Sequence, residues 1–414
     1  MITYFEALKI VLDNVRETGD EKVLFINALN RILAEDIYAD DDNPPIDNSG
    51  MDGYAVRYED IKDASEDKPI ALKVIGESKA GGDDIELVPG TAISIYTGAL
   101  IPKGADTVVQ KELTKREGDI VYIYKALKKG SNIRPKGGDY KKGEILLRKG
   151  TVLRPPEIGI LSSVNKSTVY VKQKVKVGII TTGDEILDVG EPRTKPSQIR
   201  TSNTYTLYTQ ILEAGALPVI LGFAKDDPDD ITQKLRYAKN CDVLLTTGGV
   251  SVGDYDLVKD FVQKELNVDI LFWKVSQKPG KPVAFGVWGE DREKLFFGIP
   301  GNPVASMVVF ETLVKPAIKK KMGHKNYYNP VIDAYLEESF ERKSVDRLEF
   351  VRVDIEYKNG TFLVKPFEKQ GSNILTSMVN SKGLMIVDKG VNLLGKGQSV
   401  KVIIFDRDFL PGEI

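Results

Sequence analysis

Residues 175–186 read VKVGIITTGDEI, residues 242–256 read DVLLTTGGVSVGDYD and residues 295–306 read LFFGIPGNPVAS. Each is a short apolar run that stops abruptly at a turn rich in glycine, threonine or proline. Such runs read as strands buried on both faces. LPVILGF (217–223) and VAFGV (283–287) are of the same kind. Between the runs lie helical patterns from about Ser202 to Ala214, Asp229 to Lys239 and Val304 to Lys320. Apolar strands alternating with helices predict a doubly wound α/β domain, a parallel sheet covered on both faces. Its span is residues 173–326.

Outward from this block the patterns change. Tyr4 to Ala39 carries two helical patterns, one through Phe5, Leu8, Val11 and Leu12, the other through Ala28, Leu29, Ile32 and Leu33. Pro44 and Pro45 end that segment, because proline lacks the amide and disfavours helix in the residue before it. TAISIYTG (91–98), DTVVQ (106–110) and IVYIY (120–124), set between glycine turns, predict a β-rich insert over 45–148. Leu153 to Val164 reads as a helix opened by Pro155-Pro156. It returns to the N-terminal segment, so 1–44 and 149–172 form one discontinuous helical unit. FVRVDIEY (350–357), TFLVKPF (361–367), GLMIVD (383–388) and SVKVIIF (399–405) predict a small β domain over 327–414, a barrel or a sandwich. The fold class is therefore multidomain α/β.

Composition narrows the chemistry. With 58 basic and 60 acidic side chains the net charge is −2, which gives no electrostatic reason to bind nucleic acid or a membrane surface. No run reaches the ~18 apolar residues of a membrane span. The N-terminus lacks a signal-peptide pattern, so the expected location is cytoplasmic. A single Cys excludes an intrachain disulfide and a thiolate-rich zinc site. The single His, His324 in KKKMGHK, excludes a two-His metal site and reads as a solvated loop residue. Chemistry must rest on carboxylates, lysines, arginines and backbone amides.

In an open α/β sheet, ligands bind beyond the carboxyl ends of the strands. Thr181, Thr182, Gly183, Asp184 and Glu185 fall there. So do Gly248, Gly249, Ser251, Gly253, Asp254 and Asp256, and the IPGNPVAS turn before its helix. Glycines let amides approach an anion, and a helix start adds unpaired N–H groups. Carboxylates repel phosphate unless a hard cation bridges them, which makes Glu185, Asp226 and Asp256 candidate Mg²⁺ ligands or water organisers. A helix-start carboxylate would equally explain Glu185. A cap or solvated turn explains Asp226 in KDDPDD. Lys274, Lys278 and Lys281 surround the Pro279-Gly280 turn and suit an oxyanion; ordinary solvated lysine is the alternative. Arg352, in RLEFVRV, has a salt bridge as its alternative. PPIDNSGMDGYAV (44–56) packs Asp47, Asn48, Ser49, Asp52 and Gly53 between a double proline and an apolar exit.

Together these segments resemble the molybdopterin molybdenumtransferase family, whose members include the E domain of gephyrin. The likeness spans the chain: PPIDNSGMDGYAV, TGALIPKGADTVV, NIRPKGGD, TTGDEI, GGVSVGDYD, KPGKP, GIPGNPVAS and RLEFVRV follow in the family's order. The resemblance implies a molybdopterin-binding sheet domain and a small C-terminal β-barrel. It implies insertion of molybdate, or tungstate, into adenylylated molybdopterin with Mg²⁺-dependent release of AMP. It further implies a homodimer with a shared cleft, with molybdopterin adenylyltransferase and cofactor-accepting enzymes as partners. Positions matching the family's site are Asp52, Thr97, Asp139, Glu185, Asp226, Asp256, Lys274, Lys278 and Arg352. Pro300 and Pro303 shape the cleft, and Arg134 is added by its place in NIRPKGGD. Asp256 aligns with the functional aspartate, with Asp254 as a rival. An adenylyltransferase or pyrophosphatase on the same module, and a non-enzymatic scaffold, are the alternatives.

Overall fold

A computed structural model describes residues 1–225, 227–248 and 257–405. The chain divides into two compact units. One comprises Met1–Lys22, Asn30–Ala34 and Tyr170–Ile414, the other Val23–Leu29 and Glu35–Val169.

The larger unit contains the α/β block. Its strands and helices are β1 (Lys176–Thr182), α1 (Asn203–Glu213), β2 (Leu217–Ala224), α2 (Pro228–Ala238), β3 (Val243–Thr247) and α3 (Leu257–Leu266). They continue as β4 (Asp269–Trp273), β5 (Val275–Lys278), β6 (Ala284–Trp288), β7 (Lys294–Ile299) and α4 (Pro303–Val309). Six of these strands form one sheet in the order β2-β1-β3-β7-β6-β4. Val177 and Ile179 of β1 pack with Leu207 and Ile211 on one face, while Ile180 packs with Ile231 and Leu235 on the other. Alternate residues of a strand point to opposite faces, so burial on both explains the unbroken apolar runs. The sheet is not wholly parallel, however. β2, β1, β3 and β7 run parallel, but β6 pairs antiparallel with β7 and with β4. VAFGV and LFFGIP are joined by a short connection, which permits only an antiparallel pair.

α4 continues through a π-helical turn, Phe310–Val314, into α5 (Lys315–Lys321). Then β8 (Val331–Leu336), β9 (Leu348–Lys358), β10 (Thr361–Pro366), β11 (Gly383–Val387) and β12 (Ser399–Ile404) pair in the order β9-β10-β8-β12-β11. β11 pairs back onto β9 and closes a small barrel filled by Val351, Val353, Val364, Met385 and Val402. β5 leaves the α/β block to pair with β9, placing Lys278 opposite Glu349. The N-terminal strand Ile2–Thr3 pairs in turn with β5.

The smaller unit is built on a six-stranded sheet, in the order Thr107–Gln110, Gly53–Val56, Thr91–Ile95, Ile70–Ser78, Ile120–Ile123, Thr114–Glu117. Tyr54, Val56, Leu72, Val109 and Val121 form its core. The helix Pro155–Ser163 starts at its double proline, and the Glu157 carboxylate accepts from the Arg154 amide.

Two other expectations fail. The helix Tyr4–Asp13 forms with a Thr3–Glu6 capping box, but the second N-terminal pattern is not helical. Asp20–Leu24 is a strand, Phe25–Ala28 a single 3₁₀ turn, and Asn30 has φ 63°, while Leu33 bridges to Val171. Pairing between distant segments overrides local periodicity there. His324 is half-buried rather than solvated, and burial lowers its pKa to about 4.

Candidate functional site

The three glycine-rich turns meet at one cavity of about 560 Å³ at the carboxyl edge of the sheet. Thr181, Thr182 and Glu185 reach it from the end of β1, Thr247 and Gly248 from β3, and Pro300 to Pro303 from β7. Close backbone approach requires Gly248: its φ is 88°, and a Cβ would lie 2.6 Å from the Thr182 carbonyl oxygen. TTGDEI is not a helix start. β1 is followed by a turn and the short strand Ile186–Leu187, and the next helix begins at Asn203. Helix-dipole stabilisation therefore does not explain Glu185, whose exposed side chain lies at the cavity.

A fourth segment, Thr201-Ser202-Asn203 at the start of α1, lines the same cavity and was missed by sequence reasoning. Ser-Asn before an amphipathic run is a helix-start signal that could have placed it there. Asn203 Nδ2 donates to Thr247 Oγ1 at 2.7 Å and to the Gly301 carbonyl at 2.8 Å. Thr247 Oγ1 in turn donates to the Pro300 carbonyl at 3.3 Å. One amide thus ties the β3 and β7 turns to α1.

A second cavity, also about 560 Å³, shares Pro282, Pro300 and Asn302 with the first. Lys278, Lys281, Lys343 and Arg347 line it, with Gln370, Gly371 and Ser372. Four cations around one concavity suit an anion. Lys343 and Arg347 lie in a charged run, ERKSVDR (341–347), that gives no local sign of a site. The Pro279-Gly280 turn is fixed by packing: Gly280 has φ 98°, and a Cβ would meet Val309 Cγ2 at 2.5 Å. Lys278 is not freely solvated. Its side chain is 40% exposed, and Nζ lies 2.8 Å from Oε1 of the buried Glu349.

Lys274 lines neither cavity. It sits between β4 and β5 with φ 85°, its amide donating to the Val283 carbonyl at 2.9 Å. Arg352 is fully buried and donates through Nη2 to the Lys369 and Gly371 carbonyls, each at 3.2 Å. Nε and Nη1 have no partner, and burial lowers the guanidinium pKa to about 10. Arg352 therefore supports Gly371 of the loop that lines the basic cavity, and the nearby Glu349 carboxylate partly offsets its charge. Asp226, Gly249, Ser251, Asp254 and Asp256 lie outside the described residues. Pro303 opens α4 and Pro300 ends the β7 turn, both against the first cavity.

The smaller unit gathers the other motif residues. Asp52 Oδ1 accepts from both the amide and the hydroxyl of Thr97, at 2.8 Å each. Those bonds, the amide first, hold its carboxyl below the usual range. Arg134 pairs in register with Asn48, joining NIRPKGGD to PPIDNSGMDGYAV. The Asp139 carboxylate accepts from Asn43 Nδ2 at 3.0 Å, and Asp47 accepts from the Lys136 amide at 2.7 Å. Asp52, Thr97, Arg134 and Asp139 thus all belong to one unit, apart in sequence from the sheet turns.

Among the described residues, no group of three His, Cys, Asp or Glu side chains is placed to hold a metal. No helix there is long and apolar enough to cross a membrane.

Comparison with known proteins matches three stretches of this chain to known families. Residues 2–165 match the MoeA N-terminal region (domain I and II), 178–320 a probable molybdopterin binding domain, and 334–405 the MoeA C-terminal region (domain IV). A molybdopterin molybdenumtransferase of Bacillus subtilis is 36% identical over 409 residues, 97% of this chain and 94% of the relative. One from Haemophilus influenzae is 34% identical over 413 residues, 98% and 99% of the two chains. The crystal structure of a molybdopterin biosynthesis moeA protein from Pyrococcus horikoshii OT3 superposes with a TM-score of 0.81 at 36% identity, covering 98% of this chain and 100% of that one.

Proposed function

This chain belongs to the MoeA family of molybdopterin molybdenumtransferases, and from that premise we propose how its residues divide the work. The activity is molybdate insertion in molybdenum cofactor biosynthesis, a transferase reaction. The observation that carries the division is the pair of adjoining cavities, one walled by backbone-rich turns and the other by four cations.

The first cavity takes adenylylated molybdopterin. Gly248 brings close backbone approach to it, Gly249 and Ser251 are assigned to the same binding by their motif, and Pro300 and Pro303 shape the wall. The second cavity takes the oxyanion, molybdate or tungstate. Lys278 and Lys281 hold it by charge, and Lys274 and Arg352 add to the positive field. Pro282, Pro300 and Asn302, common to both cavities, keep the oxyanion next to the dithiolene. That proximity turns metal insertion into a reaction between neighbours.

Mg²⁺ fits the donor chemistry of the first cavity, since Glu185 brings a hard carboxylate oxygen to a site suited to phosphate oxygens. Glu185, Asp226 and Asp256 would hold it, and when bound it neutralises charge at the phosphoanhydride. Asp52 and Asp139 serve catalysis from the smaller unit, with Thr97 keeping Asp52 ionised and Arg134 presenting a cation to substrate. That unit acts on the cavities of a second subunit, in a homodimer of four-part chains (1–44 with 149–172, 45–148, 173–326 and 327–414). The enzyme works in the cytoplasm, between molybdopterin adenylyltransferase and cofactor-accepting enzymes.

Mixing inactive Asp52→Ala with inactive Asp256→Ala tests the shared site. Hybrid dimers should regain part of the activity; demonstrated subunit exchange without recovery would rule it out. Glu185→Gln should bind the nucleotide normally but release AMP slowly in Mg²⁺, and normal release would remove Glu185 from that role.

A further inference from the structure

We infer that Glu349 is an internal anion of the basic cavity, occupying Lys278 and lowering the site's oxyanion affinity according to the ligand's charge. This rests on the oxyanion reading given above.

Glu349 is 3% exposed, and pairing of β5 with β9 sets it opposite Lys278. Its Oε1 lies 2.8 Å from Lys278 Nζ, whereas Oε2 is 3.7 Å from Arg342 Nη1 and has no hydrogen-bond partner. Arg342 is engaged elsewhere, donating to the carbonyls of Val391, Arg347 and Asp388. Lys278 is therefore the close cation for this carboxylate. It is also a lining cation of the cavity, with Lys281, Lys343 and Arg347.

A buried carboxylate paired with a lining lysine of an anion cavity acts in two opposing ways. It aims the ammonium and spares it rotamer entropy, an effect confined to one side chain. It also repels any anion that shares the ammonium, and this repulsion grows with the anion's charge and is weakly screened beside a buried group. Ammonium has three donors, so Lys278 can serve both anions at once and the repulsion is felt in full. For a dianion the repulsion exceeds the aiming effect. Glu349 therefore weakens molybdate binding, which favours release of the metal into the product over retention at the lysines.

The test measures equilibrium binding of molybdate and of perrhenate, tetrahedral oxyanions of charge two and one, to the full chain and to Glu349→Gln. Molybdate should bind at least tenfold tighter to the variant. Perrhenate should gain only about the square root of that factor, because the repulsion removed scales with ligand charge. Weaker or unchanged binding of both anions would overturn the inference, as would an equal gain for both. If Glu349→Gln does not fold, Glu349→Asp keeps the charge but withdraws it from Lys278. A smaller gain in the same order is then expected, and no gain overturns the role. Lys278→Ala separates the two readings. If it leaves molybdate binding unchanged, the oxyanion site itself is wrong. If it weakens binding while Glu349→Gln does not strengthen it, only the role of Glu349 falls.

Discussion

Removing the Lys278 side chain should produce two separable losses, because the ammonium faces both a cavity and a buried carboxylate. A hydrogen bond to a charged group is worth ~1.5–3 kcal/mol, which corresponds to a rise of about 10- to 150-fold in the molybdate requirement. The second loss is in stability. Breaking a buried ion pair costs roughly 3–5 kcal/mol. Here Lys278 is 40% exposed and Arg342 remains 3.7 Å from Glu349. Both features soften the penalty, and about 1–2 kcal/mol is the appropriate scale. For a unit of this size that is a fall in Tm of about 2–4 °C. The assay pairs turnover against molybdate concentration with calorimetry of Lys278→Ala and of Lys278→Ala/Glu349→Gln. The double variant should regain most of the Tm, since no orphan charge remains, yet bind molybdate less well than Glu349→Gln alone. Excess molybdate should partly rescue turnover in the single variant. A lost Tm with an unchanged molybdate requirement would refute the reasoning and leave Lys278 a structural lysine.

Gly53→Ala should unfold the smaller unit, because a Cβ there would lie 1.9 Å from the Val109 carbonyl oxygen; loss of the cooperative transition of that unit in a thermal scan is the readout. Asp52 has a depressed folded pKa, so its contribution is present above the unfolded carboxylate value and is lost as pH falls through the folded one. Thr97→Val removes the hydroxyl bond but keeps the amide bond, and should raise the Asp52 midpoint seen by NMR only part of the way back. His324, lowered from 6.5 to about 4, stays neutral in the folded chain while the unfolded chain takes up a proton. Stability should therefore decline as pH falls from 6.5 towards 4, by at most about 1.4 kcal/mol per pH unit. The lone imidazole makes this readable by NMR.

Much of the larger unit was legible because its cues are local. VKVGIITT and DVLLTTG can be little else than buried strands. The glycines after them mark where the backbone must come close, as Gly248 does against Thr182. The convergence of the three turns followed from the topology of such sheets. What escaped depends on partners distant in sequence. Ala28 to Leu33 has helical spacing, yet pairing of Leu33 with Val171 decides its conformation. β6 reverses direction because of a short connection that periodicity does not reveal. Lys343, Arg347 and Asn203 look like ordinary surface or helix-start residues until barrel and sheet place them at the cavities. The sequence motifs marked Lys278 as a candidate cation for an oxyanion. They did not identify Glu349 as its counter-charge, since the two meet only through the β5–β9 pairing.

The most direct test of the two-cavity arrangement is a single-turnover reaction with adenylylated molybdopterin, run with and without molybdate and followed by AMP release. If the basic cavity delivers an oxyanion to the neighbouring substrate, AMP release coupled to metal-loaded cofactor should require molybdate or tungstate, and Lys278→Ala should shift that requirement upward. AMP release at full rate without any oxyanion, or release of pyrophosphate in its place, would contradict it.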